Sequence, residues 1–363
     1  ATGAYSLTND IDCTGVVFSP IPNFSGTFQG NGHVVSNVSI SSGASYVGFF
    51  SRLGNGGGPA TISNLTLANI HVTTTGAYVG LLAGTSNADV ITNVSVSGTI
   101  ASASAYVGGL IGITDGSVIT RVEASVVIVI PSAAYVGGLI GIASDGTQIT
   151  RSSSAGMVTA DSYMGGFIGI SEEGSTVSNS YSTAVVSGDS YVGGLIGVSE
   201  SENENLYAAG GVTATGFFGG GLIGADGPFA DTLNSYWDTD TAIVLVSAAG
   251  TGKTTVEMQN VDTFSGWNFS TIWYPPSTGV YPLLRPYDVA PPTAPGVPSA
   301  ANPTRYTPSV TWTASTDAGA GLASQAYTVQ WSTSTVFAGT VYTSTTASNT
   351  FSDLTTLADG SWY

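Results

Sequence analysis

The chain has 363 residues, with 6 Lys+Arg and 23 Asp+Glu, for a formal net charge of −17. Charged residues are 8% of the chain, against about 25% in an ordinary soluble domain. So few cations exclude a nucleic-acid binder that works by phosphate neutralisation, and 42% hydrophobic content disfavours disorder. Scarce Glu, Lys, Leu and Arg disfavour a helical bundle. No uninterrupted apolar run reaches the ~18 residues of a spanning helix. Cys13 is the single cysteine and cannot form an internal disulfide. These features predict a β-rich extracellular, secreted or cell-surface protein, and Ala1 in place of an initiator Met predicts a processed chain.

Taken in chain order, the first segments are YSLTNDIDCTG from Tyr5 and FSGTFQGNGHVVSNVSI from Phe24. A repeat then takes over. The string YVGGLIG begins at Tyr106, Tyr135 and Tyr191, with looser copies at Tyr46, Tyr78, Tyr163 and Phe218. The successive intervals are 32, 28, 29, 28, 28 and 27 residues. Each unit also carries an alternating segment, such as ITNVSVSGTI from Ile91, which reads as a half-buried strand. A unit of this length with no helical period cannot bury its own apolar face. Stacked units can, so the sequence predicts an all-β parallel β-helix, or β-solenoid, with repeats from about 46 to 234.

One phase of the repeat holds Asn37, Asn64, Asn93, Asn179, Asn205 and Asn234, with Arg121 and Arg151 in the two remaining steps. Asn tolerates turn conformations and stacks by its amide, so this column predicts a structural ladder at a corner. Asn23, Asn37, Asn64 and Asn93 also match the glycosylation sequon, a weak pattern that the repeat explains for three of them. The Gly pairs predict a tight corner or a close backbone approach.

Residues 235–286 predict a cap over the last coil, with Trp237, Trp267 and Trp273. A Pro-rich stretch from Tyr287 reads as a linker. Beyond it lie alternating segments with Trp312 and Trp331 as core candidates, and LTTLADGSWY ending in Tyr363.

The YVGGLIG units resemble the GLUG repeats of bacterial surface and secreted proteins. SYWDTDT from Ser235, GTGKTTVEMQ from Gly250 and TFSGWNFSTIW from Thr263 resemble the closing segment of such arrays. The resemblance covers residues 1–286 and implies a non-catalytic part of a larger exported protein. Some proteins bearing these repeats are immunoglobulin-cleaving metalloproteases and others are adhesin-like. Residues 287–363 resemble a linker and a partial fibronectin type III or Ig-like β-sandwich, which needs about seven strands. The shortfall implies either further chain beyond Tyr363 or a strand from another chain.

Candidate chemistry is sparse. GTGKTT at 250–255 approaches a phosphate loop, but Ser247 stands where that pattern needs Gly. His33, His71 and Cys13 have no zinc-site spacing, and no HExxH motif occurs. Asp10 and Asp12, and Asp238 and Asp240, form pairs of hard oxygen ligands that would suit calcium, the one metal the sequence suggests. Asp115, Asp145, Glu172, Glu173 and Glu200 follow the Gly-rich strands and predict an acidic rib, more simply a solvated turn column.

The reading is therefore a non-enzymatic structural or adhesive shaft, with self-association or a cell-surface ligand as the expected partner and no other cofactor. A self-assembling filament and a carbohydrate-active β-helix or glycan binder are the alternatives. For the enzyme alternative, Arg121 and Arg151 would have to stand beside the acidic rib rather than at corners. Ice binding is a minor alternative, because regular Thr-x-Thr ranks are not evident.

Overall fold

The computed structural model describes residues 2–286 apart from 55, 103 and 104, and then 299–301, 309–314, 327–332, 341–346, 348, 350 and 351. The chain divides into two compact units, Ala1–Leu284 and Arg285–Tyr363.

The first unit is a parallel β-solenoid. Its Tyr-Val strands form a seven-stranded sheet running from Tyr46–Val47 to Gly219–Gly220. The Ile-Gly strands form a second, from Phe50–Arg52 to Ile223–Asp226. The alternating segments build the third and longest face, which includes Thr61–Thr74, Val90–Ser102 and Val118–Val129. Pairing between coils is parallel and places like on like: Ile91 lies between Ile62 and Ile119, and Ile140 between Ile111 and Ile168.

The core follows from that register. Ile62, Ile91, Ile119, Ile149 and Val177 form one inward file, and Leu110, Leu139, Phe167, Leu195 and Leu222 are inward too, all essentially buried. Each such side chain contributes about 1.5–3 kcal/mol when fully buried. The glycines make the coil narrow enough to stack. A Cβ on Gly108 would fall on the Ile111 carbonyl, and one on Gly109 on the Gly138 carbonyl of the next coil. Close approach of two backbones, rather than positive φ, sets these positions.

Stacking starts before the first YVG string. Ala4–Ser6 pairs with Thr27–Gln29, which pairs with the Thr61 strand. This end lacks the Gly-rich motif and fills its core with Phe24, Phe28, Phe49 and Phe50, whose rings contact one another.

The cap has two parts, which corrects the expectation of a single lid. Trp237 alone of the three tryptophans joins the main core, and Thr251–Lys253 adds a last parallel rung beside Tyr236–Asp238. The chain then folds back. Trp267 and Trp273 join Tyr207, Met258 and Phe264 in a separate cluster, packed on Tyr181 and Tyr236. This second core covers the flank of the late coils, because outward tyrosines there offer apolar surface that must be covered.

The second unit is described by itself. Ser309–Thr311 pairs antiparallel with Ser299–Ala301 and Thr350–Phe351, and Tyr327–Ser332 pairs antiparallel with Val341–Thr346. Trp312 is buried, with its ring 5.2 Å from that of Tyr327. The Trp331 side chain, the Pro-rich linker and the stretch from Leu357 to Tyr363 lie outside the described residues.

Candidate functional site: corner columns and an aromatic file

The first corner is set by φ. Asn64, Asn93, Arg121, Arg151, Asn179, Asn205 and Asn234 all have φ between +48° and +56°. Left-handed backbone is rare for residues other than Gly and is several-fold enriched in Asn. The two arginines therefore occupy the Asn corner, and they take the Asn conformation there. Asn93 Nδ2 donates to Asn64 Oδ1 at 2.7 Å, and Asn64 Nδ2 to Gln29 Oε1 at 3.3 Å.

Asn37 stands elsewhere. Its register partner is Asn69, since Ser36 pairs with Ala68. Asn69 Nδ2 donates to Asn37 Oδ1 at 2.7 Å, and Asn37 Nδ2 to Asp12 Oδ1 at 2.8 Å. Both have positive φ. The sequence thus merged two left-handed corners into one phase, because the first coils differ in length from the later ones. At the far end the column passes under the cap: Trp273 Nε1 donates to Asn179 Oδ1 at 3.3 Å, and Trp267 Nε1 to the Asn234 carbonyl at 2.9 Å. Asn205 Oδ1 is buried without a hydrogen-bond partner.

A second column is aromatic. Tyr46, Tyr78, Tyr106, Tyr135, Tyr163, Tyr191 and Phe218 stack in one file, with neighbouring ring centroids 4.6–5.1 Å apart and planes within 22°. The Arg52 guanidinium closes one end, 3.5 Å over the Tyr46 ring. The repeat located every member of the file, but the spacing alone did not show that the rings meet face to face.

The carboxylate pairs lie in different places. Asp10 Oδ1 accepts from the Val34 amide at 3.0 Å and contacts His33 Nδ1 at 3.0 Å; the amide first, then the imidazole, hold it below its ordinary value. Asp12 Oδ1 accepts from Asn37 and from Thr14, which lower it likewise. Asp238 is buried near the other end. Its Oδ1 accepts from the Asp240 amide at 2.8 Å, and its Oδ2 from Thr255 Oγ1 at 2.8 Å and Tyr281 Oη at 2.5 Å. Asp240 Oδ2 caps the Thr255 amide at 2.9 Å. These bonds give Asp238 and Asp240 a role in fastening the cap, and the Asp10/Asp12 and Asp238/Asp240 pairs lie on different coils. Among the described residues, no group of three or more His, Cys, Asp or Glu is placed to hold a metal ion.

The acidic rib does form. Burial, then repulsion from Asp145, Glu200 and Asp115, pushes the Glu172 carboxyl up. Asp115 also accepts from Asn87 Nδ2 at 3.1 Å. One carboxylate of this edge was missed by the sequence reading. Asp89 is buried, accepts from the Ala60 amide, Ser86 Oγ and the Asn87 amide, and is pushed up by burial.

The long face has several outward files; Thr99, Val127, Met157 and Val185, all exposed, form one of them. Thr92, Thr120, Thr150 and Ser178 are in register in another, and Val90, Val118, Gln148 and Thr176 in a third. Hydroxyls recur through four coils in the file of Thr92. Past Thr176 and Ser178 a shallow cleft gathers Glu202, Glu204 and Asp231, and neither corner arginine lines it.

GTGKTT is a strand and a helix cap: Thr251–Lys253 pairs in the sheet, and Thr254 forms a capping box with Glu257 on the short helix Thr255–Met258.

Comparisons with known proteins define the class as a β-helix. A crystal structure of a Bacteroides ovatus protein, provisionally named an immunoglobulin A1 protease, shares the fold with a TM-score of 0.53 at 20% identity, over 78% of this chain and 86% of that one. In sequence, 114 residues are 40% identical to halomucin of Haloquadratum walsbyi. That match spans 27% of this chain and 1% of halomucin. No family profile matches the chain. Among the described residues, no helix is long and apolar enough to cross a membrane.

Proposed function

We propose that the chain is a non-catalytic, extracellular structural or adhesive shaft, of the GLUG-repeat type, within a larger exported protein. The observation that carries this reading is the register of the solenoid: coil upon coil, equivalent residues pair in parallel, and its three sheets each run through successive coils. Such a lattice gives stiffness, while its outward turns vary freely. The halomucin match supports a surface or secreted setting. Corner positions for Arg121 and Arg151 favour this reading over a carbohydrate-active enzyme, which would use them beside carboxylates.

A second reading, end-to-end self-association, has its own support. The last layer exposes Ile243, Leu245 and Val246, and the preceding coil exposes Phe217 and Phe218. Apolar patches of this kind mark association sites.

The test is force spectroscopy on the full chain tethered at both ends, with a parallel incubation against polysaccharides and immunoglobulin A. The shaft reading expects stepwise coil release at high force and no cleavage product. Featureless extension at low force, or new reducing ends or antibody fragments, would contradict it. Mass that rises with concentration would favour the filament reading.

A further inference from the structure

The geometry points to the tyrosine file as a binding strip for a neutral, extended, β-1,4-linked glycan, one sugar lying against each coil. This goes beyond the shaft reading and rests only on its surface setting. All six tyrosines, Tyr46, Tyr78, Tyr106, Tyr135, Tyr163 and Tyr191, are half-buried, so part of each side chain reaches solvent. Among the described residues, none hydrogen-bonds to any of these six phenol oxygens.

Stacking accounts for the rings but leaves the hydroxyls unexplained. Phe218 extends the same stack without one, at 4.8 Å from Tyr191. The backbone sharpens the point. Tyr135, Tyr163, Tyr191 and Phe218 sit at φ of 61°, 52°, 58° and 61°, a region that is an outlier for a bulky side chain. At the other corner this protein meets the same backbone demand mostly with Asn, and with Arg121 and Arg151 at two coils.

The neighbours define the ligand chemistry. Ser162 Oγ donates to Asp161 at 3.2 Å, and Ser190 Oγ and Thr215 Oγ1 donate to Asp189 at 2.9 and 3.0 Å. Carboxylates, hydroxyls and aromatic edges suit a polyol, and the carboxylates repel an anionic polymer. At the far end of the file the Arg52 guanidinium is laid over Tyr46.

The spacing defines the ligand's repeat. Rings recur every 4.6–5.1 Å. An extended polypeptide advances by about 3.3 Å per residue and does not match. A β-1,4-linked pyranose chain is straight and advances per sugar by close to the ring spacing. A second copy of the solenoid matches the spacing too, but sets Asp161 and Asp189 against like charges.

The test is calorimetric titration of the full chain with cellohexaose and chitohexaose, and with the corresponding disaccharides. The inference expects at least one hexasaccharide to bind about tenfold or more tightly than its disaccharide, a difference of about 1.4 kcal/mol. It expects the double variant Tyr135→Phe, Tyr163→Phe to lose most of that affinity with an unchanged melting temperature. No hexasaccharide binding, no length dependence, or full binding by the Phe variant would overturn it. Concentration-dependent mass that the Phe variant abolishes would overturn it in favour of a second copy. None of these results bears on coil release under force.

Discussion

Tyr281 donates a 2.5 Å hydrogen bond to Asp238, a buried carboxylate 43 residues earlier. This contact ties the folded-back segment to Tyr236–Asp238, the last strand but one of the solenoid. Tyr281→Phe removes one of the donors to a buried charge, at a cost of roughly 1–3 kcal/mol. A denaturant titration followed by tryptophan fluorescence checks it, since Trp267 and Trp273 lie in the cap cluster. An unchanged midpoint would show that the latch contributes nothing.

The same contact gives the cap an alkaline limit. Burial and the Asp238 carboxylate push the Tyr281 phenol up to about 12. The folded state therefore keeps a proton that the unfolded chain loses near 10. Stability from this group is fully present below pH 10 and is lost as pH rises towards 12. Melting temperatures between pH 9 and 12 should fall more steeply in the wild type than in Tyr281→Phe.

The acidic rib has the opposite consequence near neutrality. The raised Glu172 carboxyl favours the protonated form in the fold. Its stabilisation is present below its ordinary value and is lost as pH rises through the raised one. Glu172→Gln should therefore melt higher than wild type at pH 7 and equally at pH 4. Added salt should raise the wild type more than the variant, because it screens the repulsion from Asp145, Glu200 and Asp115. Equal salt responses would remove the rib from the account.

At the Asn corner, backbone and side chain are separable. Asn93 has φ of 55° and donates to Asn64. Asn93→Ala meets left-handed strain of about 1–2 kcal/mol and loses a hydrogen bond of about 1 kcal/mol. Asn93→Gly loses the bond but not the backbone fit. Chemical denaturation should rank wild type above Gly above Ala; an Ala variant equal to Gly would contradict the left-handed assignment.

Much of this was legible in the sequence, and the limits are physical. The near-constant period and the alternation were enough for a parallel solenoid, because no other packing demands so strict a repeat. Asn at a fixed phase signalled the corner. Arg121 and Arg151 could be counted into that phase, but not seen to adopt its φ. Asn37 was misplaced because its true partner, Asn69, lies outside the repeat motif. Trp267 and Trp273 were read as an end cap because aromatic content shows that something is covered, not in which direction the chain turns. Asp238 and Asp240 suited a cation by type, while their actual donors, Thr255 and Tyr281, are distant in sequence.

The central claim is that equivalent residues stack coil by coil along one axis. Spin labels at Thr61 and, in separate variants, at Val90, Val118, Gln148, Thr176 or Glu202 test it most directly, in a Cys13→Ser background. These positions succeed one another in the ladder. Pulsed dipolar measurements, supplemented by line broadening at short range, should give separations that grow by about 4.8 Å per coil, reaching about 24 Å at Glu202. Separations that do not increase in ladder order, or a broad distribution at Glu202, would contradict the account.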